Sequence, residues 1–112
     1  MKQLRDTLRK FVAERDWDQF HSPKNLAMAL GVEAAELMEH FHWLSEEQSR
    51  RLAPEKLDEV RDEMADVLVY LVRLADKLDV DLLDAAAKKI GKNALKYPAD
   101  KVRGSMKKYS DY

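Results

Sequence analysis

Two stretches of this chain each place a pair of acids three residues apart. Glu33 and Glu36 lie in VEAAELMEHFHW, and Glu63 and Asp66 lie in DEMADVLVYL. Each helical residue advances about 100° around the axis. Glu33 therefore falls at the border of the side formed by Leu26, Leu30, Leu37 and Phe41, and Glu36 lies about 60° further round. On the second stretch Glu63 borders Val67 and Leu74, with Asp66 about 60° further round by the same geometry. If the two helices pack antiparallel, four carboxylates converge. Ionised carboxylates held together repel one another and lose hydration, so they hold protons or splay apart unless a cation neutralises them. Hard oxygen ligands suit Mg²⁺ or Mn²⁺. Mg²⁺ keeps waters and commonly bridges to substrate phosphates, which points to metal-assisted chemistry on a phosphate ester. One such acid pair is common on a solvated helix. Two matching pairs, both bordering apolar stripes, are the unusual feature. Glu39, Glu59 and Asp62 read as solvated surface.

Other residues could serve or rival this chemistry. Glu39 and His42 form E-x-x-H, the motif that carboxylate-bridged di-iron bundles place on two helices. The second acid helix supplies none, and Asp18-x-x-His21 lies between helices. His40 falls between Glu33 and Glu36 around the helix and reads as a packing or outer-shell residue. Trp17 and Trp43, the only tryptophans, either cap the core or stack on a planar base. Tyr70 follows Asp66 by one turn on the same edge. Lys89, Asn93 and Lys96 share an edge of KKIGKNALKYP and are candidates for phosphate oxygens, with Arg103, Lys107 and Lys108 behind them. There is no Walker-type glycine loop, so any phosphate must be held by metal and side chains.

The elements that must position these residues are helices. Glycine and proline number three each, no clean β-alternation is visible, and the apolar spacing is helical nearly throughout. A first helix is expected over about residues 2–15, with Leu4, Leu8, Phe11 and Val12 as its stripe. Ser22 before Pro23 has the form of an N-cap with proline at the first helical position, opening a second helix to about His42. LSEEQSRRLAPEK is polar and reads as a connector. A third helix is expected from about Pro54 to Leu78 and a fourth over about 82–96, ending before Pro98. The remainder, 99–112, reads as a polar tail. Four helices with short connectors make an all-α antiparallel bundle, one domain over 1–112.

Composition removes several function classes. The chain has 112 residues and a net charge of −1, from 20 basic and 21 acidic residues. That balance gives no broad surface for nucleic acid and no polybasic membrane patch. Without cysteine there is neither a disulfide framework nor a thiolate metal site. The N-terminus lacks an apolar signal core, and no apolar run approaches the roughly 18 residues needed to span a bilayer. The expected location is the cytosol. A lone chain this small buries only about two-thirds of its unfolded surface, so oligomerisation would add useful burial.

RDWDQFHSPKNLAMALGVEAAELMEHFHW, DEMADVLVYLVRLAD, NALKYP and RGSMKKYSDY resemble the MazG-like all-α nucleoside triphosphate pyrophosphohydrolases. The likeness is greatest to their short, single-domain dCTP pyrophosphatase branch. It runs from about residue 11 to the C-terminus. The resemblance implies a bundle that assembles as a dimer or a dimer of dimers (a homotetramer), with sites between protomers. It implies Mg²⁺-dependent hydrolysis of a dNTP to the monophosphate and pyrophosphate, a house-cleaning of the nucleotide pool. It also implies roles for particular residues. Glu33, Glu36, Glu63 and Asp66 match the metal ligands. Trp17, His21, Trp43 and Tyr70 match the base pocket, and Lys89, Asn93, Lys96 and Tyr97 match a phosphate and sugar motif. Glu33 or Glu36, by position, is the candidate to take the proton of the attacking water. His40 and His42 stand where apolar or amide residues are expected, and Gly91 where an acid often occurs. Two other readings fit the residues: a non-catalytic helical interaction module whose acids form a solvated rim, and the di-iron bundle.

Overall fold

The computed structural model describes residues 1–104. Lys107, Lys108 and the rest of the tail beyond lie outside the described residues. The described residues form helices and turns with no strand among them, so the chain is all-α. None of these helices is long and apolar enough to cross a membrane. The chain divides into two compact units, Met1–Val80 and the one that begins at Asp81.

The first unit contains α1 (Lys2–Glu14), a 3₁₀ turn (Asp18–Phe20), α2 (Pro23–His42), α3 (Glu46–Ser49) and α4 (Pro54–Lys77). Most boundaries follow local chemistry. Ser22 Oγ accepts the Asn25 N–H at 3.1 Å, and Pro23 occupies the first position of α2. Pro54 likewise opens α4. Asp16 (φ 52°) and Asp79 (φ 55°) adopt the left-handed conformation that follows α1 and α4, which aspartate tolerates better than most residues. The polar connector is not wholly irregular, because α3 lies inside it. The Gln48 N–H donates to Ser45 Oγ at 3.1 Å, and the Ser45 N–H donates to Gln48 Oε1 at 2.9 Å. That capping box stabilises a single turn that has no apolar stripe to reveal it.

α4 packs along both α2 and α1. Three pairings give the direction of α2. His21, just before α2, meets Arg73; Glu33 meets Glu63; His40 meets Glu59. Rising numbers on one side match falling numbers on the other, so α2 and α4 are antiparallel. The apolar core gathers Val12 from α1, Leu26 from α2, and Val60, Val72 and Ala75 from α4. Leu26 is the most completely enclosed of them. Leu26→Ala is expected to cost about 2–5 kcal/mol, the range for a buried leucine that leaves a cavity. Urea unfolding measures this, and a loss below about 1 kcal/mol would mean that the surrounding side chains collapse into the space. Met28, Val32 and Met38 on α2 and Met64 and Leu68 on α4 remain exposed within the chain.

In the second unit, α5 (Leu82–Lys96) occupies the span expected of the fourth helix. Asp81 caps it by accepting the Asp84 N–H at 3.0 Å. The start of the expected polar tail is helical: α6 (Ala99–Val102) forms one turn after Pro98, whose carbonyl accepts the N–H of Lys101 and of Val102.

Candidate active site

α2 and α4 bring three of the four predicted acids together. One carboxylate oxygen from each of Glu33, Glu36 and Glu63 lies within 4.8 Å of the other two. Glu33 and Glu63 are half-buried, and Glu36 is exposed. Glu33 Oε2 and Glu63 Oε2 are buried and have no hydrogen-bond partner. An ionised carboxylate only accepts, so oxygens that face one another are satisfied by a shared proton or by a cation. The facing Glu63 carboxyl is the largest influence on Glu33, followed by burial and by Glu36, and together they push Glu33 up to about 8. The Glu33 carboxyl therefore keeps a proton near neutral pH unless a positive charge displaces it.

The orphaned oxygens are the observation against which a metal is tested, and they fit one. The donors are all oxygen, they are anionic when deprotonated, and two of them lack any other partner. Such a set suits a hard divalent cation such as Mg²⁺ or Mn²⁺. Asp66 stands outside the three-acid group and is exposed. It lies further round α4 than Glu63, and its side chain is one methylene shorter. His40 is not in the group either. Its Nδ1 lies 3.9 Å from Glu59 Oε2 at the α2–α4 seam, too far for a hydrogen bond. Glu59 itself also approaches Lys56 Nζ, at 3.7 Å.

The aromatic candidates are accessible. Trp17 is half-exposed; its ring meets Phe11 edge-on at 5.7 Å, and the Arg15 guanidinium lies over the Phe11 ring at 3.7 Å. Trp43 is 88% exposed, so it plugs no core within this chain. It meets the His42 ring edge-on at 4.6 Å and, with Met38, Glu39 and His42, lines a shallow pocket. Tyr70 is half-buried on α4. On α5, Lys89, Asn93 and Lys96 are exposed, and Tyr97 after them is half-buried.

Sequence reading missed one polar centre. Arg73 is only 4% exposed and bonds through all three guanidinium nitrogens. Nε donates to His21 Nδ1 at 3.3 Å, Nη1 to Asp76 at 3.3 Å, and Nη2 to Asp18 at 3.0 Å. Asp76 also accepts from Arg9 Nε at 2.7 Å, and Asp18 meets Lys77 Nζ at 2.7 Å. The Arg9 hydrogen bond is the largest influence holding Asp76 below its usual range, and the Lys77 bond does the same for Asp18. Burial, then the Arg73 charge, pushes His21 down. The network ties α1, the 3₁₀ turn and α4 together. Its only sequence signal is a basic residue set inside the apolar run VLVYLVRLA.

Known proteins share this arrangement of helices. A solved pyrophosphatase from Archaeoglobus fulgidus is 40% identical and superposes with a TM-score of 0.83, over 88% of this chain and 92% of that one. The dCTP pyrophosphatase 1 of Mus musculus is 42% identical over 113 residues, and that of Homo sapiens is 39% identical; each match covers 99% of this chain. This chain spans 66% of the length of each of these two relatives. The MazG-like family profile matches residues 28–112. With that match over most of its length and these relatives over nearly all of it, the chain belongs to the MazG-like family.

Proposed function

We propose that this chain is a Mg²⁺-dependent nucleoside triphosphate pyrophosphohydrolase. It cleaves a deoxynucleoside triphosphate, dCTP or a base-modified dCTP foremost, to the monophosphate and pyrophosphate. The carrying observation is the pair of orphaned oxygens on Glu33 and Glu63 beside Glu36. A solvated acidic rim would leave its carboxylates hydrated, whereas these two are buried and unpaired. The dCTP pyrophosphatases among its relatives agree with that chemistry.

Glu33, Glu36 and Glu63 would hold the metal, with Asp66 as the fourth candidate ligand. When bound, Mg²⁺ supplies Lewis-acid activation of water and neutralises charge on the triphosphate. Glu33 or Glu36 accepts the proton of the attacking water. Trp17 and Trp43 stack on the base, and His21 and Tyr70 complete its pocket. Lys89, Asn93, Lys96 and Tyr97 are the candidates for phosphate and sugar contacts. The chain acts as one MazG-like domain and assembles as a dimer or a dimer of dimers. The exposed Met28, Val32 and Met38 on α2 support assembly, since apolar side chains of this size gain by being covered. The function is nucleotide-pool cleansing in the cytosol.

Incubating the protein with Mg²⁺ and a panel of deoxynucleotides tests this directly. The expected result is pyrophosphate release, fastest with dCTP or a 5-modified dCTP, and none in EDTA. If no nucleotide yields pyrophosphate, the chain is a non-catalytic interaction module. If purified protein carries iron, it is a di-iron bundle.

A further inference from the structure

We infer that Arg73 is a positioning residue: it fixes His21 as a neutral imidazole with its hydrogen on Nε2, presenting one N–H donor to an acceptor atom of the bound nucleotide. That His21 meets the nucleotide rests on the pyrophosphohydrolase reading; the Arg73–His21 geometry does not.

The tautomer follows from the donor inventory. A guanidinium has five N–H donors, no acceptor, and stays protonated in proteins. Since Arg73 Nε donates to His21 Nδ1, Nδ1 must hold a lone pair and the ring hydrogen must sit on Nε2. The surroundings disfavour a second hydrogen. On the α4 side stand Arg73, Asp76 and Lys77; from α1 comes Arg9; from the 3₁₀ turn comes Asp18. Three cations and two carboxylates leave an excess of positive charge, and both carboxylates are already engaged by other partners. An imidazolium would face Arg73 with no acceptor between them.

The placement fits a binding role. Along α4 the residues Glu63, Asp66, Tyr70 and Arg73 follow at spacings of three and four, which keeps them within about 80° of one another around the helix. Arg73 is the innermost member of this edge, which begins at the acid group. It reaches across to the turn that carries Trp17 and His21. Its other bonds serve the same end, because Asp76 and Arg9 restrain the guanidinium while Asp18 anchors the turn itself. Lysine could supply the charge but not a planar fork that meets three acceptors.

Histidine-selective ¹⁵N and ¹³C spectra test the inference. The chain has three histidines, and the His21 signal is assigned by its loss in His21→Gln. The expected wild-type spectrum shows the Nε2–H tautomer at pH 7, titrating below the ordinary value of about 6.5. Adding dCMP should shift the His21 resonance without changing its tautomer. In Arg73→Lys, His21 is expected to become a tautomer mixture. The KM for dCTP should rise about five- to tenfold, the size of one lost hydrogen bond, with kcat within about twofold. A purely structural role would lower stability and leave both tautomer and KM unmoved. The inference is overturned by an Nδ1–H or charged His21 in the wild type at pH 7, or by a His21 signal indifferent to dCMP. An active Arg73→Lys enzyme with unchanged KM also overturns it. The wild-type spectra need no variant, so the test survives if Arg73→Lys does not fold. A wild type that cleaves no nucleotide overturns the pyrophosphohydrolase reading and the substrate half of this inference; the spectra still decide the Arg73–His21 half.

Discussion

Glu63→Gln is expected to lower kcat/KM for dCTP by more than 100-fold while the helical content stays unchanged. Loss of a partner that merely orients a metal ligand costs roughly 10–100-fold, and Glu63 is placed as a ligand itself. Glutamine keeps the volume and one carbonyl oxygen but removes the charge that a cation needs. It also removes the carboxylate that most strongly raises Glu33, so the metal-free fold should be no less stable than wild type. Circular dichroism and a melting curve in EDTA check that half; steady-state assays with Mg²⁺ check the other. Retention of more than about a tenth of wild-type activity would exclude Glu63 from the metal-holding set. Loss of activity together with loss of fold would instead mark it as a packing residue.

The second expected result is a melting temperature that falls with rising pH when metal is absent. Glu33 moves from its ordinary 4.5 up to about 8 in the folded chain. Between those values the folded state holds a proton that the unfolded state has released, so stability declines as pH rises through this window and levels off above about 8. His21 works in the opposite direction, since its folded-state value is depressed, but its contribution is complete above about 6.5. Asp18 and Asp76 are also depressed, and the stability they lend is lost only in acid. The clean window is therefore pH 7 to 9. The site is partly open to water, so the fall there is modest, and it reads as a lower melting temperature at pH 9 than at pH 7. Mg²⁺ should reverse the trend. At 100 times its dissociation constant a ligand adds about 2.7 kcal/mol, and the deprotonated cluster binds it better, so the Mg²⁺-induced rise should be larger at pH 8.5 than at pH 6. A flat melting profile in EDTA, or a larger Mg²⁺ effect at pH 6, would show that these carboxylates do not share a proton.

What the sequence could disclose was set by the range of the interactions involved. Ser22–Pro23 opens α2 through contacts three residues long, and the apolar stripes of α1, α2 and α4 repeat within each helix. Those features were legible. So was the acid group, because Glu33 and Glu63 each border a stripe and the stripes must face one another. α3 was not legible, since a capped polar turn has no period. The exposure of Asp66 depends on side-chain length and rotation at one position, which spacing alone does not resolve. The Arg73 centre depends on pairings 67, 55 and 52 residues apart. Nothing local in VLVYLVRLA says whether its arginine faces water or reaches inward for two aspartates and a histidine.

The same centre has a consequence for behaviour in salt. Ion pairs along helix surfaces, such as Lys10 with Glu14 or Arg50 with Glu46, sit in water on both sides and are weakened by added electrolyte. Arg73 and Asp76 expose only 4% and 10% of their side chains, so mobile ions cannot come between them. Rising ionic strength should therefore loosen the outer contacts, Arg9 on one side and Lys77 on the other, well before it reaches the middle. Asp18, whose side chain is 61% exposed, would loosen with them, and the turn carrying Trp17 and His21 would then be held to α4 by the Arg73–His21 hydrogen bond, which needs no opposite charge.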